Sequence, residues 1–408
     1  MKYDFTSRLE RAGFDAVAVD GVGKGNAPAA PREGFDLIPM WVADMNFPCV
    51  PSVQRALVAR AQHPVFGYFE PREEYFQKII EWQHRRNGVE GLEPRHIGYE
   101  NGVLGGLVST LQSFCNPGDK VLVHSPTYIG FTHSIENAGF HIVNSPLVIR
   151  DGVWRMDFDD MEQKLAEQRI HAVVFCSPHN PCGRVWEREE IEQAMELFRR
   201  YDCTVVSDEI WSDIILPGHR HVPTQSVSED ARMRTVALYA PSKTFNLAGL
   251  VGSYHVIYSD YLRDRVNSAS SKSCYNEMNV LSMHALLGAY EPEGYEWVDE
   301  LRQVIAGNVD FALGYMAEHF EGVTACRPQG TYMLFIDCGE WCRAHGKGIV
   351  DVERAAWDVG VAVQDGRMFH GPCHVRMNLA LPLSRVQEAF DRLDRYVFNA
   401  KGDAGWAQ

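Results

Sequence analysis

Short apolar runs between about residues 100 and 245 constrain the fold of this chain most, because longer segments with helical spacing separate them. The runs cover residues 121–123, 172–175, 204–206 and 235–238. Between two of them, residues 187–200 place Ile191, Met195 and Phe198 on one face of a helix. Continuous apolar runs separated by amphipathic helices are typical of strands buried on both faces of a parallel sheet. We therefore predict an α/β fold whose mostly parallel sheet is covered by helices.

The last part of the chain has a different pattern, with helical and extended segments that do not alternate regularly. Helices are predicted over residues 295–319 and 383–398, and strands over residues 330–336, 360–363 and 374–379. A chain of 408 residues is also longer than one hydrophobic core usually organises. We predict a large domain of residues 49–289 and a smaller α+β domain made of residues 1–48 and 290–408.

Charge and hydropathy limit the partners. The formal net charge of -15 disfavours nucleic acid and anionic membranes, which basic surfaces usually bind. The N-terminal residues resemble no signal peptide, and no apolar run is long enough to cross a bilayer. We expect a cytoplasmic protein that acts on a small molecule.

Cysteine spacing points to free thiols and gives no metal signature. The ten cysteines are scattered along the chain, unlike the clustered cysteines of small secreted proteins. Cys338 with Cys342, and His370 with Cys373 and His374, lack the second ligand pair of a zinc site. We predict no metal site.

Polar side chains follow the four predicted strands, where a parallel sheet binds its ligands. They include Tyr128, Asn180, Asp208 and Lys243. Each has an ordinary alternative, as a packing residue, a turn, a helix cap and a surface charge, respectively. Together they provide an amine that can form an imine, a carboxylate that can hold a pyridine proton, and a flat ring for stacking. This combination fits a cofactor that withdraws electrons from its substrate.

Residues 102–106, with the sequence Gly-Val-Leu-Gly-Gly, precede an apolar helical run through Leu107, Leu111 and Phe114. Free backbone N–H groups at the start of a helix can bind a phosphate. The segment lacks the Gly-Lys-Ser/Thr of a nucleotide-binding loop, which argues against ATP.

The order of the motifs GVLGG, SPTY, SPHNPCG, VSDE, PSKTFNLAGL and VRMNLALP resembles that of fold-type-I enzymes of the class I/II aminotransferase superfamily. The resemblance covers nearly the whole chain. WVADM at residues 41–45, FGY at 66–68 and SKTFNLAGL at 242–250 resemble the MalY/PatB subgroup, the cystathionine β-lyases or carbon–sulfur lyases. The implied cofactor is pyridoxal 5'-phosphate.

The resemblance also implies a role for each matching residue. Lys243 would hold the cofactor as a Schiff base, Asp208 would pair with the pyridine nitrogen, and Tyr128 would stack on the ring. Asn180 would bind the ring oxygen, and Arg376 would bind the substrate carboxylate. The other implied cofactor contacts are Val103, Leu104, Trp211, Ser242 and Tyr68, and the other implied substrate contacts are Asn180, Ala43 and Tyr68. Because Tyr68 would come from a neighbouring subunit, a homodimer with shared active sites is expected.

Four positions depart from the expected patterns. Val251 and Ala240 stand where aminotransferases usually have a phosphate-binding Arg and a Ser, and both changes remove phosphate contacts. Trp211 replaces the His of the lyase subgroup, and Trp cannot titrate. Asn46 replaces an Asp, so a cationic substrate group would lose a partner if this position faced the pocket.

The function that we expect is β-elimination, in which Lys243 removes the Cα proton and a thiolate leaves Cβ. Cystathionine or another cysteine S-conjugate would then yield a thiol, pyruvate and ammonia. An aminotransferase is the alternative, because it uses the same Lys, Asp and Arg. A binding or regulatory protein on an enzyme fold is a third hypothesis, which the complete set of Lys243, Asp208, Asn180 and Arg376 disfavours.

Overall fold

The computed structural model describes residues 1–272, 274 and 276–399. Its strands are Ile38–Pro39 (β1), Ile97–Asn101 (β2), Lys120–Ser125 (β3), His141–Arg150 (β4), Val153–Met156 (β5), Ala172–Cys176 (β6), Thr204–Asp208 (β7), Thr235–Tyr239 (β8), Gly252–Val256 (β9), Met333–Asp337 (β10), Val361–Ala362 (β11), Gln364–Asp365 (β12) and His374–Asn378 (β13). Its α-helices are Val17–Asp20 (α1), Pro51–Ala61 (α2), Glu73–Asn87 (α3), Val103–Phe114 (α4), Ile129–Asn137 (α5), Phe158–Gln168 (α6), Arg188–Arg200 (α7), Glu229–Arg234 (α8), Pro241–Thr244 (α9), Asp260–Ser271 (α10), Val280–Ala289 (α11), Pro292–His319 (α12), Gly339–His345 (α13), Ile349–Asp358 (α14) and Leu383–Leu393 (α15).

The main sheet has eight strands in the order β2-β9-β8-β7-β6-β3-β4-β5. Strands β8, β7, β6, β3 and β4 are parallel to one another, whereas β9 pairs antiparallel with β8, β2 with β9, and β5 with β4. All residues of β6 and β8 are buried, which explains their continuous apolar sequence. The predicted α/β fold with a mostly parallel sheet is confirmed.

Helix α7 shows how the sequence defines a covering helix. The side chain of Glu187 accepts a hydrogen bond from the backbone N–H of Glu190, and the side chain of Glu190 accepts one from the backbone N–H of Glu187. This capping box starts the helix. Ile191, Met195 and Phe198 are buried against the sheet, as predicted.

Helix α4 begins earlier than predicted, at Val103, so Gly105 and Gly106 lie inside it. Gly102 is the N-cap at a φ of 78°, a conformation that favours glycine. A Cβ atom on Gly106 would lie only 2.9 Å from Leu238 Cδ2, so this glycine allows close packing of the helix on β8.

The C-terminal part forms a second, antiparallel sheet in the order β10-β13-β12, and β1 pairs with β11. Strand β10 begins at Met333 instead of residue 330, because Thr331 has a φ of 65° and interrupts the extended backbone. Helix α15 ends at Leu393 and continues as one π-helical segment, Asp394–Phe398. The predicted domain limits remain a prediction.

Two further expectations concern membranes and metals. No helix in the described part of the chain is long and apolar enough to cross a membrane. Across residues 1–272, 274 and 276–399, no group of three or more His, Cys, Asp or Glu residues could hold a metal ion. All ten cysteines are free thiols in this structure.

The contact between α11 and α2 provides a test of the packing. A Cβ atom on Gly288 would lie 2.7 Å from the carbonyl oxygen of Ser52 and 2.9 Å from Ala56 Cβ. We expect Gly288→Ala to lower the free energy of unfolding by about 1–3 kcal/mol through overpacking, measured as a lower thermal midpoint. Gly307→Ala is the control, because this exposed site on α12 has no atom within 4 Å of the added Cβ. The control should be neutral or stabilising by about 1 kcal/mol, and equal midpoints for the two variants would contradict the packing argument.

Candidate active site

The carboxyl ends of the parallel strands surround a cavity of about 240 Å³. Its lining includes nine of the predicted site residues, namely Ala43, Val103, Leu104, Tyr128, Asn180, Asp208, Trp211, Ser242 and Lys243. Asn101, Gly102, Gly105, Cys176, Ile210, Ala240, Ala248, Val251 and Gly252 complete the lining. The structure therefore brings together the side chains that follow four separate strands.

Lys243 lies on the short helix α9, directly after β8. Its Nζ donates a hydrogen bond to the carbonyl oxygen of Ala43 at 2.8 Å. The pKa of Lys243 is lowered from 10.5 to about 8, because burial and the nearby Arg376 lower it more than Asp44 and Asp208 raise it. A substantial fraction of this amine is therefore neutral near pH 8, in the nucleophilic and basic form.

Asp208 is the last residue of β7 and is 4% exposed. Burial raises the pKa of its carboxyl group to about 7, although one oxygen accepts a hydrogen bond from the Ile210 backbone N–H at 3.0 Å. A cation placed next to this carboxylate would favour its ionised form. The site is therefore suited to hold a positively charged group that hydrogen-bonds to Asp208.

Glu209, the next residue, is completely buried in a hydrogen-bond network. His221 Nε2 and the Tyr239 hydroxyl each lie 2.7 Å from Glu209 Oε2, and Ser207 Oγ donates to Oε1 at 2.9 Å. The Thr224 backbone N–H also donates to Oε1, at 3.0 Å. Burial opposes ionisation, but these contacts hold the pKa of Glu209 below its usual value. The network fixes the backbone at the end of β7, from which Asp208 projects.

Tyr128 is the N-cap of α5, and its ring lines the cavity. The ring contacts Phe131 edge to face, with ring centroids 5.3 Å apart. A Cβ atom on Gly130 would lie 2.3 Å from Tyr128 Cε1, so the ring can occupy this position only because residue 130 is glycine. The ring presents a flat apolar wall to the cavity.

An anion could bind where α4 begins. The first backbone N–H groups of a helix lack intrahelical partners, and here they belong to Val103 and Leu104, which line the cavity with Ser242. Val251, the position of the missing Arg, has a φ of 54° and a side chain that is 51% exposed. Lys243 is the one Lys or Arg among the described lining residues, so an anion would depend on backbone and hydroxyl donors.

Arg376 lies beside the cavity on β13 and is 3% exposed. Its Nη1 donates a hydrogen bond to Asn180 Oδ1 at 3.1 Å, and its guanidinium carbon lies 4.3 Å from the centroid of the Phe369 ring. No carboxylate in the described part of the chain forms an ion pair with Arg376, and burial lowers its pKa to about 10. This buried cation is therefore poised to bind an anion.

Sequence reasoning missed the residues that fix the segment around Ala43. The Tyr332 hydroxyl donates to the Ala43 carbonyl oxygen at 3.0 Å. Asn246 contacts both the backbone N–H and carbonyl of Met45, and Asn378 Nδ2 donates to the Val42 carbonyl at 2.8 Å. These amides lie inside the motifs SKTFNLAGL and VRMNLALP, but their partners are distant in sequence.

Two of the departures occupy different environments. Trp211 is buried in the cavity wall, edge to face with Tyr332 at 4.7 Å between centroids. Asn46 is not among the residues that line the cavity, and its Oδ1 accepts a hydrogen bond from Arg11 Nη1 at 2.8 Å. The hypothesis that Asn46 removes a partner for a cationic substrate group is therefore not supported.

Tyr68 is the one predicted cofactor contact that lies away from the cavity within the described chain. Its side chain is fully exposed, next to Phe66, which is 56% exposed. Both line a separate groove that also includes residues 276–281. Within a single chain, Tyr68 does not reach the residues around Lys243.

Comparisons with known proteins agree with this geometry. The family model for aminotransferase class I and II matches residues 36–393. The chain is 32% identical to cystathionine beta-lyase PatB of Bacillus subtilis over 96% of this chain and 98% of that protein. It is similar to the structure of cystalysin from Treponema denticola, which contains pyridoxal 5'-phosphate, with a TM-score of 0.88, 29% identity, and coverage of 97% and 98% of the two chains. A PLP-bound C-S lyase from Staphylococcus hominis has a TM-score of 0.88 at 26% identity, with the same coverage of 97% and 98%.

The lowered pKa of Lys243 can be tested on cofactor-free protein. The rate at which Lys243 captures pyridoxal 5'-phosphate should rise with pH to a midpoint near 8, because only the neutral amine attacks an aldehyde. Rapid-mixing absorbance would follow the reaction, and peptide mapping after borohydride reduction would assign it to Lys243. Lys243→Ala should leave only the slower reaction of surface lysines. A midpoint near 10.5 for the fast reaction would contradict the effect of burial.

Proposed function

The chain belongs to the class I and II aminotransferase family, and from its similarity to carbon–sulfur lyases within the fold we propose that it is a pyridoxal-phosphate-dependent carbon–sulfur β-lyase. It would cleave cystathionine or another cysteine S-conjugate to a thiol, pyruvate and ammonia. The substrate of such an enzyme is a small amino acid, and we propose that the protein acts in the cytoplasm.

The residues around the cavity fit the proposed cofactor. Tyr128 offers a flat wall for a pyridine ring, and Asp208 offers a buried carboxylate for its nitrogen. Asn180 already uses its Oδ1 to accept from Arg376, so its amide N–H groups remain to donate to a ring oxygen. Bound pyridoxal phosphate would supply an aldehyde for amines and an electron-withdrawing ring.

Lys243 is the residue that we expect to move protons during elimination. Its Nζ lies in the cavity, and its lowered pKa provides a neutral amine near pH 8. With the substrate bound in the cavity, Nζ would accept the Cα proton. The electron pair of the Cα–H bond then forms the Cα–Cβ double bond while the Cβ–S pair leaves with the thiolate. The released aminoacrylate reacts with water to give pyruvate and ammonia.

The buried guanidinium of Arg376, which has no ion-pair partner among the described residues, is the observation that best supports an amino-acid substrate. A buried guanidinium whose partners are neutral gains a full ion pair when a carboxylate binds. The similarity to carbon–sulfur lyases over almost the entire chain favours elimination over amino-group transfer. The absence of an Arg at position 251 is consistent with this choice.

We also propose that the enzyme works as a homodimer. Val65, Phe66 and Tyr68 are all exposed in the single chain, and contiguous exposed apolar side chains often mark a protein interface. A second copy of the chain that covers this segment would bring Tyr68 to the active site of its partner. The expected cofactor contact of Tyr68 depends on this assembly.

The proposed elimination can be tested with L-cystathionine. We expect pyruvate and a free thiol to form in equal amounts without any added 2-oxo acid. Coupling to lactate dehydrogenase would measure the pyruvate, and a thiol reagent would measure the thiol. Lys243→Ala should reduce the rate at least about a hundredfold, because the proton acceptor is lost. Turnover that requires a 2-oxo acid and releases no thiol would instead identify an aminotransferase.

Asp208→Asn should impair catalysis while leaving the substrate carboxylate site intact. Removing one partner of a buried ion pair costs about 3–5 kcal/mol. We therefore expect kcat for cystathionine cleavage to fall by roughly 10²–10⁴-fold. Asp310→Asn, at an aspartate whose side chain is 61% exposed, is the matched control and should keep wild-type kcat. A kcat for Asp208→Asn within tenfold of wild type, at equal cofactor content, would refute this role.

A further inference from the structure

The hydrogen bonds of Arg376 leave no complete docking face for a carboxylate. A carboxylate binds a guanidinium best through two adjacent N–H bonds, either across Nη1 and Nη2 or across Nη2 and Nε. Both arrangements need Nη2. In this structure Nη2 donates to the carbonyl oxygen of Trp41, at 3.2 Å, and to Gln364 Oε1. Nε is buried and has no partner among the described residues.

One of the two acceptors on Nη2 must therefore move before a substrate carboxylate can bind to two N–H groups. The Trp41 carbonyl belongs to the backbone, and its segment is held by Asn378 Nδ2 on the Val42 carbonyl and by Trp41 Nε1 on the Ala18 carbonyl. Gln364 is different, because its amide is the end of a flexible side chain that is only partly buried. Gln364 is the acceptor that can leave at low cost.

Space for this movement lies next to Gln364. The residue lines a groove of about 870 Å³ together with Trp41, Trp357 and Met368. Across the described ranges of the chain, no residue accepts a hydrogen bond from the amide nitrogen of Gln364. A rotation about its side-chain bonds would carry the amide into the groove, where water can replace the lost hydrogen bond.

Strand register determines that the residue opposite Arg376 is neutral. In the antiparallel pair of β12 and β13, Gln364 lies opposite Arg376 and Asp365 lies opposite Val375. A shift of one residue would bring the Asp365 carboxylate to the arginine. Asp365 instead pairs with Arg367, whose Nη2 lies 2.7 Å from its Oδ2 and 3.5 Å from Glu353 Oε2. Arg367 thus engages the two nearby carboxylates, and Arg376 keeps its charge uncompensated.

From these contacts we infer that Gln364 is an exchangeable stand-in for the substrate carboxylate. In the free enzyme its amide oxygen accepts a hydrogen bond from Nη2 of Arg376. The amide is displaced into the groove when the carboxylate binds. The neutral amide orients the guanidinium without the strong ion pair that a carboxylate would form. This inference uses only one part of the proposed function, namely that the substrate is an α-amino acid.

The test measures carboxylate binding without catalysis. The probe is 3-(ethylthio)propanoate, which carries the carboxylate of S-ethylcysteine but lacks the amine that would react with the cofactor. Its Kd for the cofactor-loaded enzyme can be measured by isothermal titration calorimetry. Because no turnover is needed, the measurement stays informative even if the enzyme proves to be an aminotransferase.

Gln364→Glu replaces the stand-in by a charged group of the same size. The introduced carboxylate should remain on Arg376, so that Kd for the probe rises at least about tenfold. Gln387→Glu, at an exposed glutamine of α15, adds the same charge away from the site and should leave Kd unchanged. A Kd for Gln364→Glu that rises less than tenfold would overturn the inference.

Gln364→Ala separates a stand-in from a residue that binds substrate directly. Without the amide, nothing has to be displaced from Nη2, so Kd should fall or stay within about threefold of wild type. A larger increase in Kd would mean that Gln364 contributes to binding, and the stand-in role would be wrong. The absorbance of the bound cofactor and the thermal midpoint of each variant establish that the site remains folded.

Discussion

Parallel pairing of β6, β7 and β8 is the constraint on which the candidate site depends. The register aligns Cys176 with Asp208 and Asp208 with Leu238, so that all three strands end at the same edge. The segments that follow carry Asn180, Asp208 and Lys243 into one cavity. A slip of one residue would turn every side chain of a strand to the opposite face of the sheet and shift the strand end that carries the site residues. The stability of the core and the geometry of the site are therefore set by the same pairing.

Desolvation gives the ionisable groups at this edge their chemical character. Burial raises the pKa of Asp208 to about 7 and lowers the pKa of Lys243 to about 8 and that of Arg376 to about 10. Each group is less well stabilised in its charged form than it would be in water. A bound pyridinium at Asp208 and a bound carboxylate at Arg376 would each restore a missing charge partner. Binding of the proposed cofactor and substrate would thus offset part of the free-energy cost of burying these groups.

The sequence predicted the sheet, its main covering helix and the residues at the strand ends, because these depend on local hydrophobic spacing and on one topological rule. It did not predict the contacts of the Ala43 segment, since Tyr332, just before β10, and Asn378, at the end of β13, are distant from it in sequence. Gln364 gave no sequence signal either, because its role follows from its place opposite Arg376 in an antiparallel register. The start of β10 was also missed, since the positive φ of Thr331 depends on tertiary contacts.

The neutral partners of Arg376 meet two requirements of a carboxylate site that conflict with each other, namely an oriented guanidinium and a charge that no other residue neutralises. A guanidinium without any acceptors would be costly to bury and poorly oriented. One already paired with Asp or Glu would bind a further carboxylate only weakly. Asn180, the Trp41 carbonyl and Gln364 satisfy N–H groups without neutralising the charge. Arg367 supports this arrangement from a distance, because it holds the carboxylates of Asp365 and Glu353. In the proposed substrate site, affinity for a carboxylate would therefore depend on which strand residues the register keeps away from Arg376 as much as on the arginine itself.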